Sequence, residues 1–311
     1  MKMKDNIKIL LLIFLLYLTG ILFSQEKMKT EKIGEKGDYS KYKNAELITD
    51  MVYGKGGEKD LKLDLFLPKK GKPPYIGIIF IHGGGWRGLY KEYLREWGYY
   101  FADKGYVAIS IDYRLSGEAK FPAAVEDCKC AVRWMRANAV EYNIDANKIA
   151  VFGESAGGHL AALVGTSWGV KELEGNGGNN NYSSKVNLVF PVYGVFDVVG
   201  LGKEKLSKKV VNNLLEEFIG GSYNEVPEKY KMASPITYID KSDPPFMLFH
   251  STGDSVVSIQ QSVMFKEKLE QAGVPVEFII TPGGEHGYVL HPPYFEPTCK
   301  QMESFMKKYF K

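Results

Sequence analysis

Short runs of β-branched and aromatic residues recur along the chain with helical periodicities between them, and this alternation constrains the fold more than any other feature. Residues 75–81, 107–111, 149–152, 186–192, 246–249 and 276–280 are apolar almost throughout, as strands buried on both faces must be. An earlier stretch, 61–67, sets Leu61, Leu63, Leu65 and Leu67 in alternation, the pattern of a strand with one buried face. Helical stripes lie between these runs. Residues 121–140 place Ala124, Cys128, Ala131, Val132 and Met135 on one side, with Pro122 suited to a first turn. Residues 258–272 place Val263 and Leu269 among charges and close at Gly273 and Pro275. The alternation predicts an α/β fold: a mostly parallel sheet flanked by helices. The segment 197–238 is longer than a crossover requires and holds an amphipathic run over 206–219, so it predicts a small helical cap insertion. The glycine- and asparagine-rich residues 175–181 read as a loop.

A chain of 311 residues, 45% hydrophobic, has ample material for a large core. Its net charge of +3 is small and the basic residues are dispersed, which excludes a nucleic-acid surface. The N-terminus stands apart. Residues 1–8 carry three lysines, residues 9–23 are apolar except for Thr19, and polar Ser24-Gln25-Glu26-Lys27 follows. That order is the order of a secretory signal peptide, and the apolar run is shorter than the roughly 20 residues a bilayer requires. The expected organisation is a signal peptide over 1–24, a polar linker over 25–44 and one catalytic domain over 45–311. Export to the periplasm or medium follows, with no stable membrane insertion after cleavage. An uncleaved N-terminal anchor is the alternative, because Leu22 stands where a small residue would suit cleavage better. Of three cysteines, Cys128 and Cys130 lie two apart on an expected helix, where their side chains do not face each other. Buried free thiols are expected.

Chemistry enters at Gly153-Glu154-Ser155-Ala156-Gly157, which follows a strand-like run and precedes a small-residue helix. A serine hydroxyl needs to be lifted clear of the sheet toward a base, and a sharp strand–turn–helix junction does this. Nucleophilic acyl chemistry also requires donors for an oxyanion. Ala156 at the helix N-terminus supplies one amide, and His82-Gly83-Gly84-Gly85-Trp86, directly after a strand, supplies others; Gly83 and Gly84 are the expected donors. The base must be one of five histidines. His286, in the loop Pro282-Gly283-Gly284-Glu285-His286-Gly287, is the leading candidate, and His291, before two prolines, is the second. His82 reads as a brace for the glycine loop, His159 points away along the nucleophile's own helix, and His250 ends a strand as a structural residue. The orienting acid is expected in the loop after the penultimate strand, which makes it Asp254 rather than Asp243 or Asp197. Trp86 and Tyr193 are candidate substrate-binding aromatics. Glu154 reads as a structural hydrogen-bonding group.

From about Leu47 onward the chain resembles the α/β-hydrolase superfamily, whose chain order of nucleophile, acid and base is that of Ser155, Asp254 and His286. More narrowly it resembles bacterial HGGGW carboxylesterases related to hormone-sensitive lipase and to feruloyl and acetylxylan esterases. The residues that carry the resemblance are 82–86, Asp112-Tyr113-Arg114-Leu115, Phe121-Pro122-Ala123-Ala124, 153–158, Pro191-Val192-Tyr193-Gly194, Asp254 and His286. The resemblance implies an α/β-hydrolase fold with an eight-stranded sheet, and structural roles for Asp112 and Arg114. It also implies ester hydrolysis through an acyl-enzyme without metal or organic cofactor, on a small-molecule or carbohydrate ester. Ser251 departs from the glycine common in relatives after the histidine. An arylformamidase, amidase or peptidase on the same fold is the nearer alternative, and a binding protein that has lost catalysis is the remoter one.

Overall fold

The computed structural model describes residues 37–203 and 209–311; the signal peptide read over 1–24 lies outside the described residues. Eight strands form one sheet: β1 (Ala45–Gly56), β2 (Lys59–Pro68), β3 (Tyr75–Ile81), β4 (Val107–Ile111), β5 (Ile144–Glu154), β6 (Leu188–Val192), β7 (Phe246–Ser251) and β8 (Val276–Thr281). Their order is β1-β2-β4-β3-β5-β6-β7-β8. β1 and β2 pair antiparallel, β2 runs antiparallel to β4, and every later pairing is parallel. The mostly parallel sheet expected from the sequence is therefore present.

The continuous apolar character of β3 has a direct cause. Ile79 and Ile81 belong to one core and Ile78 and Phe80 to the other, so both faces of the strand are covered. On the first face lie α2 (Ala123–Ala137), α3 (Ala156–Thr166) and α7 (Gln260–Gln271), through Val132, Leu160 and Phe265. On the second lie α1 (Arg95–Asp103) and α8 (Phe295–Tyr309), where Trp97, Phe101 and Phe305 join Phe80 and Phe152. Every residue of α3 is buried, which is why its sequence shows no polar face.

The insertion expected over 197–238 supplies α4 (Val198–Lys203), α5 (Lys209–Ile219) and α6 (Pro227–Met232). α5 buries Val211, Leu215, Phe218 and Ile219, the i, i+4, i+7, i+8 stripe of an amphipathic helix. Within the stretch read as a polar linker, residues 39–44 pack against the domain instead. Tyr39 stacks on Tyr99 with ring centroids 4.5 Å apart, and the Asn44 amide donates to Asp103 Oδ1 at 3.0 Å. Their aromatic rings have apolar surface to cover, which a polar average conceals. Cys128, Cys130 and Cys299 are all free and buried, and burial pushes the Cys128 and Cys299 thiols well above their ordinary value.

Candidate active site

The site forms where β3, β5, β6, β7 and β8 end at the same edge of the sheet. β5 runs to Glu154, and Ser155 follows in a left-handed conformation, φ 54° and ψ −118°, capping α3. Such a conformation in a non-glycine residue is strained and holds only where the surroundings enforce it. Here the Ser155 amide donates to Val192 O at 2.9 Å and the His159 amide to Ser155 O at 3.0 Å. The flanking glycines are demanded by close backbone approach: a Cβ on Gly153 would stand 2.0 Å from Gly157 O, and one on Gly157 2.1 Å from Ile81 O.

His286 arrives from the loop after β8. Its Nε2 lies 2.8 Å from Ser155 Oγ, and its Nδ1 lies 2.7 Å from Asp254 Oδ2. An ionised Asp254 fixes the tautomer: Nδ1–H donates to the carboxylate, leaving Nε2 to accept the Ser155 hydroxyl proton. Asp254 comes from the loop after β7. Its Oδ1 accepts the Val256 and Val257 amides, each at 2.8 Å, and His250 Nε2 lies 3.2 Å from Oδ2. Burial works against its charge, but the bonds from His250 and His286, the imidazole's field and the backbone donor hold the carboxyl far below the ordinary range. His250 thus has a more specific place than a strand end: it is a second imidazole on the acid. Its Nδ1 meets Ser262 Oγ at 2.7 Å. Asp197 and Asp243 are engaged elsewhere, on the Gly200 and Asp240 amides. The Ser251 departure has a visible role, since its hydroxyl donates to Gly284 O and joins the acid loop to the loop that carries His286.

The glycine loop after β3 differs from expectation at one position. The Gly83 amide donates to Glu154 Oε1 at 2.5 Å, so this N–H is committed to a buried carboxylate and is withdrawn from the space beside Ser155. Gly84 and Gly85 follow with φ of 86° and 61°, and among the described residues no acceptor is seen for their amides or for that of Ala156. Left-handed Trp86 and Leu89, φ 57° and 68°, continue the tight turn. Tyr113 donates its hydroxyl toward His82 O and Gly83 O, both at 3.1 Å, and its ring stacks on His82 at 4.4 Å. His82, buried, is pushed down to about 4 by desolvation.

Neither aromatic expected at the substrate is available to it. Trp86 is 3% exposed and Tyr193 is fully buried. Trp86 stacks on cap residue Phe218 at 4.7 Å and donates from Nε1 to His159 Nδ1 at 3.2 Å. His159 Nε2 donates in turn to Ala233 O at 2.7 Å, and burial pushes its pKa down to about 4. Tyr193, left-handed at φ 35°, lies against the His286 ring with centroids 4.6 Å apart. Both therefore back the site rather than line it. Half-buried Leu214 of α5 stands against the glycine loop, where its Cδ1 would lie 2.8 Å from a Cβ on Gly85. Asp112 and Arg114 are structural, as the resemblance implies: Asp112 Oδ1 accepts the Lys91 amide at 2.8 Å, and Arg114 forks onto Asp127 and Glu126.

Among the described residues no group of three or more His, Cys, Asp or Glu is placed to hold a metal ion, and no helix is long and apolar enough to cross a membrane. Residues 63–269 match the BD-FAE family. Esterase LipC of Mycobacterium tuberculosis is 31% identical over 239 residues, 74% of this chain and 58% of LipC, so the chain spans less than two thirds of that curated relative. A bifunctional GH43-CE protein of Bacteroides eggerthii superposes with a TM-score of 0.76 at 37% identity, covering 85% of this chain and 38% of that one. A truncated carbohydrate esterase from gut microbiota superposes with a TM-score of 0.73 at 31% identity, covering 85% and 96%.

Proposed function

Because the chain belongs to the BD-FAE family, with an α/β-hydrolase fold, we propose that it is an exported serine carboxylic-ester hydrolase acting on acetyl or feruloyl esters of carbohydrates. The observation that carries the reading is the relay Ser155–His286–Asp254, with contacts of 2.8 and 2.7 Å. In the first half-reaction Ser155 Oγ attacks the ester carbonyl carbon while its proton passes to His286 Nε2. The carbonyl oxygen becomes an oxyanion and draws on the amides of Gly84, Gly85 and Ala156. The C–O bond to the alcohol then breaks, and His286 returns the proton to the departing oxygen, leaving acyl-Ser155. In the second half-reaction the same nitrogen takes a proton from water, whose oxygen attacks the acyl carbon and releases the acid and free Ser155. Asp254 holds the Nδ1–H throughout and stabilises the imidazolium.

The carbohydrate class rests on the similarity to the carbohydrate esterase and the GH43-CE protein. Export rests on the lysine-then-apolar order of residues 1–23. A fluorophosphonate probe should label the folded protein at Ser155, and S155A should take no label and lose about three or more orders of magnitude in aryl acetate turnover. Rates on acetylated xylan and methyl ferulate then divide the acyl classes. A folded parent protein that neither labels nor turns over aryl esters would overturn the reading, and sequencing the N-terminus of the mature protein tests export.

A further inference from the structure

Glu154 is a fully buried carboxyl group that the hydrolytic steps above do not use. It ends β5, directly before the nucleophile, and is 4% exposed. Its Oε1 holds the Gly83 amide at 2.5 Å, and the fit is close enough that a Cβ on Gly83 would stand 2.2 Å from Oε1. The groups facing it come from four elements. Tyr93, Tyr113 and Tyr193 bring phenols from the segment before α1 and from the ends of β4 and β6, and His286 brings its imidazole from the loop after β8. Burial holds all three phenols well above their ordinary range, so they stay neutral.

We propose that Glu154 is a positioning residue for the proposed ester hydrolysis: it anchors the first glycine of the oxyanion loop. The anchoring follows from chain geometry. With the Gly83 N–H fixed to the end of β5, the left-handed Gly84 and Gly85 are the residues that turn their amides toward the elbow. A loop tied to the nucleophile's own strand keeps donors and nucleophile in register, which a mobile glycine run would not do. Burial raises the Glu154 pKa, and the field of His286, the Gly83 N–H and the Tyr193 phenol oppose that rise.

The inference rests on the esterase reading, and two variants test it. E154Q keeps an oxygen for the Gly83 amide, and E154A removes it. With KM near the parent value and thermal unfolding confirming the fold, E154A should lower kcat on an aryl acetate by about 10²–10³-fold, the range for loss of an oxyanion donor. E154Q should restore kcat to within about tenfold of the parent. A folded E154A with parental kcat, or a folded E154Q as impaired as E154A, overturns the anchoring. Activity of the parent and its loss in S155A report on the esterase reading itself, independently of either Glu154 variant.

Discussion

Two buried carboxyl groups belong to this site, Asp254 on the His286 imidazole and Glu154 directly before Ser155, and their surroundings differ. Asp254 sits in a loop that surrounds it with donors: two histidines and the Val256 and Val257 amides. Glu154 sits at a strand end with one backbone donor and a ring of phenols. Burial opposes charge in both. It is overcome at Asp254, whose pKa falls, and prevails at Glu154, whose pKa rises. Donor count, not depth, therefore decides how firmly a buried acid keeps its charge, and the two acids are suited to different tasks. Asp254 is held ionised against His286, while Glu154 holds the first glycine of the loop after β3.

The comparison can be broken most easily at Asp254. D254N replaces the acceptor of the Nδ1–H with an amide able to favour the wrong tautomer, and kcat should fall by about 10³–10⁴-fold with little change in KM. A loss within tenfold would mean that the donor-rich loop does not orient the base.

Acid titration sharpens the contrast next. His82 and His159, both buried, have folded pKa values depressed to about 4 from 6.5. The unfolded chain therefore binds protons first as pH falls, and stability is lost between about pH 6.5 and 4, on the order of 3 kcal/mol per histidine. Asp254 also has a depressed folded pKa, but its contribution is present above the ordinary carboxylate value and is lost only as pH falls below that value. Urea unfolding across pH should show the histidine slope first, and H159Q should remove about half of it. A flat profile from pH 6.5 to 4 would contradict the burial of the two imidazoles.

The smallest effect is expected at the tie between the two loops. S251A removes one hydrogen bond to Gly284 O and should cost about 1 kcal/mol in unfolding free energy. kcat should fall only severalfold, because the acid and base stay joined to each other.

Much of the sheet was legible because its central strands are buried on both faces and so read as unbroken apolar runs. β1 escaped because it is an edge strand: its residues alternate irregularly between buried and exposed, and its pairing slips between Ile48 and Met51 and again between Val52 and Gly54. α1 escaped because Trp97, Tyr100 and Phe101 crowd a helix short of charged spacing residues. At the site, Ser155, His286 and Asp254 could be found because loop position after successive strands narrows the choices sharply. The identity of the free glycine amides could not. Gly83 is excluded by Glu154, 71 residues away in sequence, a contact that no local pattern encodes. Trp86 and Tyr193 misled for the complementary reason: an aromatic beside a motif looks the same in sequence whether its ring faces substrate or core.

The bond from His159 to Ala233 O, with Trp86 held on its other nitrogen and stacked on Phe218, bears on how this scaffold could be re-engineered. Cap segments are natural targets for grafting when a different substrate range is wanted. Here a graft that replaced 197–238 wholesale would also remove the carbonyl and the ring that seat the glycine turn after β3. Transplants should therefore keep Phe218 and Ala233 as a fixed junction, so that the turn stays in place beside Ser155.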